Sequence, residues 1–97
     1  MTTLKASIAG SLESNDCLVS IYPDEDGLSI AIESIVKEQF GALIELAIRE
    51  ELSLYEVENI RVLIKDKGAL DCVIRARVAA ALLRAGAKQT SKDTNNA

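Results

Sequence analysis

The chain has 97 residues, 48% apolar and 27% charged. That is enough for one domain with one core, and it excludes both a second domain and the polar, highly charged composition that stays unfolded. Fifteen acidic residues against eleven basic ones leave a net charge of −4, and Tyr22, Phe40 and Tyr55 are the only aromatics, so phosphate backbones are repelled, base stacking is poorly served, and no nucleic-acid partner is expected. No apolar run approaches the ~20 residues of a membrane span. The N-terminus carries neither the charged region nor the hydrophobic stretch of a signal peptide. The expectation is a cytoplasmic chain with no membrane partner.

In chain order, residues 5–13 alternate, with Ile8, Gly10 and Leu12 on one face and Ser7, Ala9 and Ser11 on the other, the pattern of a half-buried strand. Cys17, Val19 and Ile21 form the inward set of a second strand. Between the two, Ser14-Asn15-Asp16 reads as a hairpin turn with Ser14 at an exposed tip. Pro23-Asp24-Glu25-Asp26-Gly27 is a second turn, and Leu28, Ile30 and Ile32 supply a third strand. From Ile35 the period changes: Val36, Phe40, Leu43, Ile44, Ala47 and Ile48 mark an amphipathic helix running to about Leu52, with Ser34 placed to cap it. Ile60, Val62 and Ile64 then face one way and Arg61 and Lys65 the other in a fourth strand that ends at Asp66-Lys67-Gly68. Leu70, Val73, Ile74, Val78, Ala81, Leu82 and Ala85 mark a second helix, and Gly86 terminates it. The order β-β-β-α-β-α predicts an α+β domain over residues 1–86, a four-stranded antiparallel or mixed sheet with two helices on one face. Residues 87–97 are polar and expected to be a disordered tail.

The chain offers little for chemistry. Histidine is absent, which removes the usual general base and the commonest metal ligand. Asp24-Glu25-Asp26 and Glu50-Glu51 read as solvated charge, and the five glycines form no phosphate-cradling loop. Cys17 and Cys72 have neither metal-ligand nor CxxC spacing and read as buried free thiols. An enzyme built on either cysteine has no evident base to lower its pKa. No catalytic or metal-binding residue is therefore assigned.

Three segments are more particular than their local structure requires: Ala9-Gly10-Ser11-Leu12-Glu13-Ser14-Asn15-Asp16, then Glu38-Gln39-Phe40-Gly41, then Asp66-Lys67-Gly68-Ala69-Leu70-Asp71-Cys72 running into Arg75-Ala76-Arg77. In that order and spacing they resemble the acyl carrier protein of citrate lyase, the gamma subunit of that enzyme, over residues 6–85. The resemblance implies that Ser14 carries phosphoribosyl-dephospho-coenzyme A through a phosphodiester, attached by a separate prosthetic-group transferase. It also implies two partners: an alpha subunit that exchanges acetyl for citryl on the carrier thiol, and a beta subunit that cleaves the citryl thioester. The chain itself would then be a non-catalytic carrier, and the missing histidine stops being a puzzle. The ordinary carriers of fatty-acid synthesis differ, being helical domains with their serine in a DSL motif, which is absent here.

Taken without the resemblance, Ser14 is a turn residue. Glu13, Asn15 and Asp16 either help the transferase recognise the tip or only shape the turn. Lys67, Arg75 and Arg77 either meet phosphates or an acidic partner or, as helix-face and loop charges usually do, are simply solvated. Two other readings stay open: a noncovalent regulatory or scaffold α+β domain, and the carrier of a related system such as malonate decarboxylase.

Overall fold

Period-two patterning produces strands β1 (Ser7–Gly10), β2 (Cys17–Pro23) and β3 (Ser29–Ser34) in the first third of the chain. They are followed by α1 (Lys37–Leu52), β4 (Ile60–Asp66) and α2 (Asp71–Ala85) in the computed structural model, which describes residues 4–90. The sheet is mixed, in the order β1-β2-β4-β3: β2 runs antiparallel to both β1 and β4, and β3 runs parallel to β4. The parallel pair follows from α1, because a helical crossover returns the chain to the end of the sheet where β3 began. β4 thereby enters between β2 and β3. The Asp24–Gly27 turn spans the gap, closed by Gly27 N–H on the Asp24 carbonyl at 3.3 Å and tied to the start of β4 by Asp24 N–H on the Asn59 carbonyl at 2.9 Å.

The inward face of the sheet consists of cross-strand rows. Ala9, Val19, Ile64 and Ile32 form one, and Ser7, Ile21, Val62 and Ile30 form the next. Ile44, Ala47, Ile48 and Leu52 of α1 and Ile74, Val78, Ala81, Leu82 and Ala85 of α2 close over these rows in a single core. The helices pack against each other, α2 lying over β1 and β2 and α1 over β3, so the α+β layering read from the element order holds.

Several local expectations need correction. In β1 the small residues turn inward: Ala9 is 2% exposed and Ile8 57%. The reason is the close approach of α2, where the Ser7 hydroxyl donates to the Ala81 carbonyl at 2.6 Å and leaves no room for a large side chain. Phe40 and Leu43 stay exposed because the buried stripe of α1 begins only at Ile44. Val36, not Ser34, is the residue at the N-terminal boundary of α1, and Ser34 instead accepts the Val36 N–H at 3.0 Å. Gly86 does end α2, with φ 97° in the left-handed region that glycine tolerates. The chain beyond it is not a free tail from Ala87 onward. Ala87 is buried, Glu56 N–H donates to the Lys88 carbonyl at 2.8 Å, and Thr90 N–H donates to the Leu54 carbonyl at 2.9 Å. The rest of the expected tail, 91–97, lies outside the described residues.

Ile64 has no exposed surface and stands at the centre of the first row. Ile64→Ala is expected to lower stability by about 2–5 kcal/mol, seen as a reduced denaturant midpoint with little change in slope.

Candidate functional site

The β1–β2 connection is built around the carboxylate of Asp16. Its Oδ1 accepts the Cys17 N–H at 2.7 Å and the Arg77 Nε at 2.9 Å, and its Oδ2 accepts the Ser11 hydroxyl at 2.7 Å and an Arg77 terminal nitrogen at 2.8 Å. The two Arg77 contacts form the paired geometry in which a guanidinium holds a carboxylate most strongly. Ser11 also accepts the Glu13 N–H at 3.2 Å, and Asp16 N–H donates to the Glu13 carbonyl at 3.2 Å, so the loop closes on itself. Gly10, at φ 101°, is required at the neck: a Cβ there would collide with the Cys17 carbonyl oxygen.

A second tie comes from the loop after β4. Asn15 N–H donates to the Lys67 carbonyl at 2.8 Å, and Lys67 N–H donates to the Asp16 carbonyl at 2.9 Å. Asn15 takes φ 65°, a left-handed conformation that asparagine accepts more readily than most residues. Beneath this bridge the last row of the sheet turns polar, with Cys17, Asp66 and Ser34 side by side. Asp66 is 2% exposed and is satisfied by the Ser34 hydroxyl at 2.8 Å and the Ala69 N–H at 2.9 Å. It is not among the candidates the sequence singles out, although the inward alternation Ile60, Val62, Ile64 carries one step further to it.

Ser14 sits at the crest of this loop, exposed, and among the described residues its hydroxyl has no hydrogen-bond partner. Glu13 and Asn15 are exposed beside it, whereas Asp16 is turned inward. The first and third sequence segments therefore meet in space through Asn15–Lys67 and Asp16–Arg77. Glu38-Gln39-Phe40-Gly41 lies in the first turn of α1, next to this cluster but outside its hydrogen bonds; Glu38 and Gln39 line a hollow of about 340 Å³ with residues 34–37. A smaller hollow of about 120 Å³ is lined by Glu33, Ser34, Ile35, Lys65, Asp66 and Lys67, well below the size that encloses a coenzyme. Arg75 and Arg77 are not solvated spare cations. Arg75 bridges Asp71 at 2.6 Å and Glu50 at 2.7 Å, and Arg77 is engaged with Asp16.

The Arg77 guanidinium, then the Ser11 hydroxyl and the Cys17 amide, hold the Asp16 carboxyl well below the usual carboxylate range. A depressed folded-state pKa contributes stability that is complete above the unfolded value of about 3.9 and is lost as pH falls toward the folded one. Wild type should therefore exceed Asp16→Asn in stability by a constant margin above about pH 5, a margin that narrows below about pH 4, as urea titrations across that range would record.

The thiols differ from each other. Cys17 is fully buried, and burial, aided by the carboxylates of Asp66 and Asp16, pushes its thiol up to about 12. Cys72, expected to be buried, is instead exposed on the first turn of α2. A thiol reagent should label one cysteine per native chain, Cys72, and both after denaturation; native labelling of Cys17 would contradict this packing.

The geometry is thus a small α+β domain with the Ser14 hydroxyl exposed on a braced hairpin. Residues 4–85 match a family model described as the malonate decarboxylase delta subunit (MdcD). The citrate lyase acyl carrier protein of Escherichia fergusonii is 53% identical over 91 residues, 93% of each chain. That of Treponema denticola is 47% identical over 88 residues, 91% of this chain and all of the relative. Citrate lyase acyl carrier protein 2 of Salmonella typhimurium is 50% identical over 91 residues, 93% of each chain. Among solved structures, a chain of a Pseudomonas malonate decarboxylase hetero-tetramer crystallised with malonate superposes with a TM-score of 0.73 at 20% identity over 87% of each chain, a likeness of fold. The chain belongs to the citrate lyase acyl carrier protein family, and its role is that of an acyl carrier.

Proposed function

We propose that the chain is the carrier subunit of a citrate lyase and that Ser14 is the residue bearing its prosthetic group, phosphoribosyl-dephospho-coenzyme A, in phosphodiester linkage. The observation that carries this reading is the Ser14 hydroxyl, exposed and unpartnered among the described residues on a loop fastened from two sides. When attached, the group supplies a thiol on a long arm that holds acetyl and citryl as thioesters. The chain's own part is mechanical. A stiff base keeps the arm's origin fixed while its far end reaches the alpha and beta subunits, and the tether raises the effective concentration of the thioester at both.

In attachment the Ser14 Oγ–P bond forms, a phosphoanhydride P–O bond of the donor breaks with release of the phosphate or pyrophosphate leaving group, and the hydroxyl proton passes to a base in the transferase. No base is needed from this chain, which suits the lack of histidine. Glu13 and Asn15, exposed on either side, form the surface that a transferase would meet. Among the described residues no helix is long and apolar enough to cross a membrane, and the cytoplasm is the compartment this reading takes.

The description of the matching family model favours one other reading, the carrier of a malonate decarboxylase. Identities of 47–53% with carriers named for citrate lyase, against 20% with the chain from the decarboxylase, support the first. Chain purified from cells that hold the biosynthetic enzymes should show the mass of the group on the Ser14 peptide and co-purify with citrate lyase subunits, and Ser14→Ala should abolish both the mass increment and lyase activity. Full activity of the Ser14→Ala complex would instead indicate a noncovalent scaffold.

A further inference from the structure

We propose that Arg77 is a positioning residue for the modification of Ser14: reaching across from α2, it holds the Asp16 side of the hairpin so that the hydroxyl is presented in the loop conformation the transferase engages. This rests on the reading that Ser14 is the attachment site.

The tip has two fastenings of different kinds. The exchange between Asn15, Asp16 and Lys67 is made by backbone groups and survives any side-chain substitution at position 77. The other is the Arg77 fork, which supplies two of the four hydrogen bonds accepted by the Asp16 carboxylate and, among the described residues, the one cation among its donors. Asp16 is 14% exposed against 40% for Arg77, so water replaces that cation only in part. Its remaining donors, Ser11 and Cys17, are neutral. Without the fork the carboxylate is drawn toward solvent and carries Ser14, two residues away, into a set of alternative loop shapes. The route of the Arg77 side chain is also built in: its Cδ lies 3.2 Å from where a Cβ on residue 10 would stand, so the glycine at the neck leaves the passage through which the guanidinium reaches Asp16.

A tip that spends only a fraction of its time in the presented conformation binds its transferase more weakly by that fraction, while the chemistry after docking is unchanged. The signature is a raised KM for the carrier at nearly constant kcat. The test measures initial rates of group transfer to the full-length chain by the transferase and its phosphoanhydride donor, followed by intact mass. Arg77→Gln and Asp16→Asn are each expected to raise KM about tenfold with kcat within about twofold, and the double variant about tenfold rather than about a hundredfold, because each removes the same clamp. Arg77→Lys, which keeps the charge but not the fork, should fall between and carries the comparison if Arg77→Gln lowers the melting temperature sharply. Amide relaxation of Ser14 and Asn15 should rise in the variants while the sheet is unchanged.

An Arg77→Gln KM within twofold of wild type would overturn the proposal. So would single effects that multiply in the double variant, since those would mean that both residues touch the transferase independently. Failure of the wild-type chain to gain the group at Ser14 would be a different result, overturning the attachment reading and this one with it.

Discussion

The carboxylate of Asp16 is the constraint on which the functional end of the molecule depends. It is inward-facing and charged, and it gathers donors from its own loop, from the first residue of β2 and from a helix 61 positions further along the chain. A half-buried carboxylate with fewer partners would be costly, and the loop without it would keep only its backbone ties to Lys67 and Cys17. Because Asp16 stands two residues from Ser14, satisfying its charge also sets where the one free hydroxyl of the loop projects.

The sheet beneath is arranged to support this. Its inner rows are aliphatic through most of their length and become polar only in the last, where Cys17, Asp66 and Ser34 lie side by side. Asp66 is satisfied there by the Ser34 hydroxyl and the Ala69 amide, so the β3–α1 junction and the loop before α2 are tied into the same end of the fold. The opposite end carries the Asp24–Gly27 turn and the 53–59 connection, which is hydrogen-bonded to residues 88 and 90. The hollow lined by Asp66 and Lys67, about 120 Å³, is well below the size that encloses a coenzyme.

Much of this was legible along the chain. Six elements in the right order, the exposed turn at Ser14 and the stop at Gly86 follow from period and turn chemistry. The errors came where a second element intervened. Ile8 and Ala9 alternate correctly, but only the close approach of α2 selects the alanine for the interior. Arg75 and Arg77 look like any helix-face charges until α2 is laid against α1 and the hairpin. Residues 87–90 look like tail until Leu54 and Glu56 supply their hydrogen-bond partners.

Hydrophobic period, turn residues and caps act over a few positions, so the sequence by itself determined which segments are strands and helices, where the chain turns, and that a serine would stand at an exposed tip with no base to activate it. The order β1-β2-β4-β3, the inward face of β1, the burial of Asp66 and the pairing of Asp16 with Arg77 were decided only by tertiary structure. Each depends on surfaces that meet across dozens of residues, and a carboxylate's partner is chosen by which donor the packing brings within about 3 Å, a distance that no local pattern encodes.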